Sequence, residues 1–159
     1  MCPGQDVKLP IRFNSTTKKG RMKLITRDTD YALRALCFSA KSKAKTVSAA
    51  ELTRELSIPR PFLRKILQIL NRKGILRSLK GRGGGFSLAR SAKNIFLTDI
   101  MRIFQGKLKL NECFLNKHIC PHRPKCPLRK KIIRVESYVL KELSSISIAS
   151  LCKEVKIGL

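Results

Sequence analysis

The chain has 159 residues, 43% of them hydrophobic, with 35 Lys and Arg against 10 Asp and Glu and a formal net charge of +25. That length supplies one ordinary core rather than two, and that charge repels copies of itself while attracting polyanions, so nucleic acid is the default partner and an anionic membrane surface the competitor. No apolar run approaches the roughly 20 residues needed to cross a bilayer, and residues 1–21 lack the apolar stretch of a secretory leader; a cytoplasmic protein without membrane association is expected.

Residues 1–21 mix Pro, Gly, Ser, Thr and basic residues without periodicity, which predicts a disordered basic tail. The ordered chain is expected from Met22. A first helix starts at Asp28, with Asp28 or Thr29 as cap and Tyr31, Ala35 and Phe38 on one face, and ends in the Lys-rich KSKAK linker. Ser48 then caps SAAELTREL, and Glu51 three residues on makes a capping box. After the SIPR turn, Pro61 suits the first turn of the next helix. On a wheel of about 100° per residue, Arg60, Arg64, Lys65, Gln68, Asn71 and Arg72 share one face, and Phe62, Leu63, Ile66, Leu67, Ile69 and Leu70 the other. Past Gly74, the runs ILRSLK and GFSLA flank Gly81–Gly85 and predict a hairpin with a glycine-rich, basic tip.

Helix, turn, helix and basic hairpin in this order describe a winged helix-turn-helix, expected over 22–106. The stretch 60–90 carries nine Lys or Arg and no Asp or Glu, whereas a merely solvated face mixes signs. Arg64, Lys65 and Gln68 are the candidates for base contacts in the major groove, where Arg and Lys read guanine and Gln reads adenine. Arg60, Lys80 and Arg82 are assigned to phosphates or the minor groove.

LTDIMRIFQG gives a further helix with Thr98 as possible cap, and a cysteine loop is expected over 107–127. A long helix follows from Leu128 to about Ser145. Its Leu128, Ile132, Val135, Val139, Leu143 and Ile146 repeat at 3 and 4 spacings, the seam of a helix that packs lengthwise on a partner. Residues 128–159 are thus a dimerisation helix with a C-terminal segment, and the fold class is mainly α with a small β-wing.

Six cysteines in a chain without a leader and rich in Leu and Ile do not suggest a disulfide scaffold. Cys37 falls on an apolar helix and reads as a small buried hydrophobe. Cys2 and Cys152, near the termini, are assigned no role. Cys113, Cys120 and Cys126 form a cluster with the spacing C-x6-C-x5-C that also contains both histidines, His118 and His122. Such a loop can gather around an iron-sulfur cluster or a tetrahedral zinc, the fourth ligand coming from elsewhere or, for zinc, from His118 or His122. Free thiols acting by oxidation are a further possibility. No nucleophile with a recognisable base is found, and Gly83–Gly85 lack the lysine and helix of a phosphate-binding loop. The chain is not expected to be an enzyme.

MKLITRDTDYALRAL, SIPRPFLRKILQILNRKGILRSLKGRGGGFSLAR, LTDIMRIFQG, LNECFLNKHICPHRPKCPL and SISIASL, in this order, resemble the Rrf-two family of winged-helix regulators, with its IscR-, NsrR- and RirA-like branches. The resemblance covers Met22 to about Cys152. It implies a homodimer with crossed long helices, a palindromic operator in double-stranded DNA, and a [2Fe-2S] or [4Fe-4S] cluster on Cys113, Cys120 and Cys126. It further implies that cluster state sets DNA affinity, usually for repression, in response to nitric oxide, redox or iron status. The IscR branch uses a histidine three residues beyond the last cysteine, where this chain has Arg129, which cannot ligate iron. TDYALRAL instead resembles the nitric-oxide-sensing branch, in which an aspartate of the partner subunit completes a [4Fe-4S] site; the matching residue is Asp30, so [4Fe-4S] is favoured over [2Fe-2S].

Overall fold

The structure is a computed structural model and describes residues 24–42, 44, 46–81, 83–110 and 125–154. The expected tail over 1–21, Cys2, Arg82, and the loop residues Cys113, His118, Cys120 and His122 lie outside the described residues.

Helix α1 runs Arg27–Lys41 and is capped by Thr26, whose hydroxyl accepts the Thr29 amide at 3.4 Å. The expected caps, Asp28 and Thr29, therefore lie inside the first turn. With that free amide already met by Thr26, Thr29 is released for tertiary use and is fully buried. The expected apolar face exists and is wider: Ala32, Ala35, Leu36 and Cys37 are buried, with Tyr31 and Phe38 packed against them. Helix α2 (Ala49–Leu56) is capped as expected, Ser48 Oγ accepting from the Glu51 amide at 3.1 Å, an arrangement typically worth about 1 kcal/mol. Ser57 then takes the left-handed conformation, φ 50°, and turns the chain, while Ile58 is buried at the corner.

Helix α3 spans Arg60–Arg72 with Pro61 in its first turn. Leu63, Ile66, Leu67 and Leu70 are buried, and each such side chain contributes roughly 1.5 to 3 kcal/mol. Phe62, expected among them, is not: it is 57% exposed. On the wheel it sits at the edge of the apolar arc, about 60° from Lys65, and an edge position is buried only where another element reaches over it. No described element does.

Strands β1 (Leu76–Leu79) and β2 (Gly85–Leu88) form the antiparallel wing, in register from Leu76 against Leu88 to Leu79 against Gly85. Buried Ile75 and Leu76 root it in the core. A 3₁₀ turn at Ala92–Asn94 leads to helix α4, Leu97–Gln105. Thr98 lies within α4 and does not cap it; instead the Asp99 carboxylate accepts the Phe96 amide at 3.5 Å.

Helix α5, Pro127–Ser144, matches the expected long helix and buries none of its residues. Helix α6, Ile148–Glu154, then folds back onto the head and packs on α1. Its start is fixed by exchanged bonds, Ser150 amide to Ser147 Oγ and Ser147 amide to Ser150 Oγ, both 3.1 Å. The Leu97 amide reaches the Ile146 carbonyl at 2.9 Å and the Ile148 amide the Ile95 carbonyl at 2.8 Å, so fully buried Ile148 closes the core. The C-terminal segment thus packs with the winged-helix core rather than with α5. No helix among the described residues is long and apolar enough to cross a membrane.

Candidate nucleic-acid interface and metal loop

The buried stripe of α3 fixes which way its other face points. Arg60, Arg64, Lys65 and Gln68, four of the six expected DNA contacts, are all exposed, as are Asn71 and Arg72. The ion pairs among the described residues join Arg34 to Asp30, Arg54 to Glu55 and Arg90 to Asp99. None of them engages Arg60, Arg64, Lys65 or Lys80, so among the described residues no ion pair neutralises the positive field of this face.

The wing is held at a set distance from α2 and α3 by the strand-like residue Val47, whose amide and carbonyl pair with Phe86 at 2.9 and 2.8 Å. Two glycines make this possible. A Cβ on Gly85 would lie 2.5 Å from the Val47 carbonyl oxygen, and one on Gly84 would collide with the carbonyl oxygen of Leu79. The Thr46 hydroxyl adds a bond to the Gly83 carbonyl at 3.1 Å. Lys80, exposed at the end of β1, is therefore carried on a fixed arm; Arg82 lies outside the described residues.

Of the three expected cluster cysteines, Cys126 is described. It is unpaired, half-buried and the N-cap of α5. The start of the loop is tied to the same helix, because the Leu110 amide donates to Glu136 Oε1 at 2.7 Å. The helix that starts at Cys126 carries Arg129, Lys130, Lys131 and Arg134 along its first two turns and no acid in the first. Positive helix-terminal amides and four cations suit a negatively charged thiolate-bound group, so the donor set fits one in charge and softness.

Asp30 is less free. Its Oδ2 accepts from Arg34 Nε at 3.0 Å, and it borders a shallow depression lined also by Ile25, Thr26, Arg27 and Tyr31. Among the described residues, no three or more His, Cys, Asp or Glu side chains come together as a metal site; Cys113 and Cys120 lie outside them. What holds Asp30 in place is a clasp that sequence reasoning missed. Gln105 Oε1 accepts from the Thr26 amide at 3.1 Å and the Thr29 hydroxyl at 2.9 Å, and its Nε2 donates to the Leu24 carbonyl at 2.9 Å. The clasp pins the start of α1 to the end of α4, across a separation that no local pattern announces.

Cys37 is buried as expected, and Cys152, given no role, proves to be its neighbour: Cys152 Sγ donates to the Cys37 carbonyl at 3.7 Å. Burial, and then the contact with Cys152, pushes the Cys37 thiol up to about 12. Metals and oxidants react with thiolates, so burial makes Cys37 a poor metal ligand.

Residues 25–154 match the Rrf2 family, described as iron-dependent transcriptional regulators. An HTH-type transcriptional regulator of Aquifex aeolicus (strain VF5) is 39% identical over 90 residues, 57% of this chain and 62% of that protein, so the match spans less than two thirds of the relative's length. Among solved structures, CymR (YrzC), the global cysteine regulator of B. subtilis, superposes with a TM-score of 0.70 at 20% identity, covering 85% of this chain and 100% of that one. IscR of T. potens gives 0.65 at 22% identity, covering 84% and 88%. At such identities these structures establish the winged-helix fold. With a family match that takes in nearly the whole described chain, and an exposed acid-free α3 beside a pinned wing, the chain belongs to the Rrf2 family of DNA-binding transcriptional regulators.

Proposed function

We propose that the chain acts as a homodimeric repressor whose affinity for a palindromic operator is set by an iron-sulfur cluster on Cys113, Cys120 and Cys126, with Asp30 of a second copy as fourth ligand. The observation that carries the DNA half is the face of α3, where Arg60, Arg64, Lys65 and Gln68 stand exposed and without ion-pair partners among the described residues. Arg64, Lys65 and Gln68 read base edges; Arg60, Lys80 and Arg82 hold phosphates or the minor groove. The dimer reading is supported by α5, whose Leu128, Val135 and Tyr138 are 66%, 53% and 66% exposed, a degree of apolar exposure that marks an interaction surface.

The sensor half is supported by the charge around Cys126 and by the anchoring of the loop. When bound, the cluster, favoured as [4Fe-4S], supplies reactivity toward nitric oxide or oxygen and dependence on iron supply. The chain supplies the transmission. Leu110 and Cys126 bracket the loop and both are fixed to α5, so the arrangement of Cys113, Cys120 and Cys126 bears on the helix that sets the separation of two recognition helices. Asp30 serves as ligand only by exchanging its bond to Arg34, which makes it a readily released one.

The test is anaerobic purification, reconstitution with ferrous ion and sulfide, an absorption spectrum, and an operator titration before and after. Brown protein with bound sulfide and altered operator affinity is the expected result, lost in the triple Cys→Ala variant. Colourless protein holding zinc, or affinity unchanged by reconstitution and by the triple variant, overturns the sensor half.

A further inference from the structure

Phe62 is the one large apolar side chain on α3 that stands exposed, at 57%. It occupies the first turn, the part of a recognition helix whose residues meet base edges in this architecture. An exposed phenyl ring on a helix surface gains nothing from water and adds a hazard of self-association. Its surroundings narrow what covers it. Arg60, Arg64 and Lys65 are exposed beside it, and residues 60–90 contain no acid, so the partner surface is polyanionic yet offers an apolar group at its floor. The same face of a second copy carries the same cations and no acid over 60–90 to offset them, so it does not complement this surface. The major groove of DNA meets both requirements: phosphates line its rims, and the thymine 5-methyl is the apolar group displayed on its floor.

We propose that Phe62 is a sequence-reading residue that packs on a thymine methyl in the major groove. The proposal rests on the DNA-binding reading above and adds to it an apolar contact beside the polar ones. Lys65 lies three residues on, on the neighbouring strip of the helix surface, so Phe62 and Lys65 read adjacent bases: a methyl for the ring and a guanine edge for the ammonium.

The experiment is selection of binding sites from random duplexes by the full-length protein, followed by replacement of each selected thymine with deoxyuridine, which deletes only the methyl. Wild type should lose about four-fold in affinity at one thymine position, the worth of one buried methyl, and at that position Phe62→Ala should bind the two duplexes equally, with Phe62→Leu between. Because Phe62 is exposed, thermal midpoints of the variants should match wild type. The proposal is overturned if Phe62→Ala keeps the wild-type sensitivity to uracil, or if its main effect is a change in sedimentation, which would assign Phe62 to a contact between copies. Failure of wild type to select any sequence would instead remove the DNA-binding reading, and this role with it.

Discussion

The winged-helix head and helix α5 come from the same chain and have opposite economies of surface. The head, built from α1 to α4, the wing and α6, holds all the buried hydrophobic side chains found among the described residues, Leu36, Leu67 and Ile148 among them. Helix α5 runs for 18 residues and buries none. A helix in a protein owes its stability mostly to packing of its apolar face, and among the described residues that packing is supplied to the head and not to the apolar face of α5. Helix α5 touches the head through α4, and its Glu136 carboxylate accepts the Leu110 amide at the entry to the cysteine loop.

The sharpest way to break this comparison is to place a charge on α5. Val135→Glu buries an uncompensated carboxylate in the proposed dimer and should weaken self-association by about two orders of magnitude, seen by analytical ultracentrifugation, while far-UV circular dichroism of the head stays unchanged. A dimer of undiminished stability would mean that α5 pairs through another face. Next comes truncation. Leu67→Ala should lower the unfolding free energy by about 2 to 5 kcal/mol in urea titration, and Val135→Ala, measured at concentrations where the protein is monomeric, by less than about 0.5 kcal/mol.

Within the head, Arg64→Ala should lower specific operator affinity by about 1 to 3 kcal/mol and relax sequence preference. Lys80→Ala should weaken all sequences alike and reduce the salt slope by about one. Equal behaviour of the two in a salt-resolved titration would undo their assignment to base and phosphate. A last prediction tests the burial of Cys37. The unfolded Cys37 thiol loses its proton near its ordinary value of 9.0, the folded one only near 12. Between those values the folded state binds more protons, so stability falls as pH rises. Wild type should lose up to about 1 kcal/mol per pH unit more than Cys37→Ala across that window, by chemical denaturation.

Much of the head was legible because its signals are local. Ser48 three residues before Glu51, Pro61 after a tight turn, and a glycine-rich run between two short apolar stretches each act over a few residues, and each element appears where those signals place it. The misreadings share one cause. Thr29 and Thr98 look like caps in isolation, yet Thr26 and Asp99 meet the free amides instead, and Thr29 turns inward to Gln105, 76 residues away. Phe62 has the composition of a core residue but stands at the margin of its helix's apolar arc, where only the neighbours decide. The Ser147 and Ser150 pair was a readable helix start, and the apolar residues after it a readable sign that the C-terminus returns to the core.

From the sequence by itself came the identity of α1 to α5 and of the wing, the acid-free cationic face of α3, and the grouping of three cysteines before a long amphipathic helix, because charge, capping chemistry and periodicity are properties of short segments. Only the tertiary structure decided that Cys152 meets Cys37, that α6 closes the head rather than extending α5, that Gln105 clasps the start of α1, and that Phe62 faces outward. Those outcomes depend on which surfaces remain uncovered once distant segments have packed, and burial is a property of the assembled neighbours and never of one residue's own type.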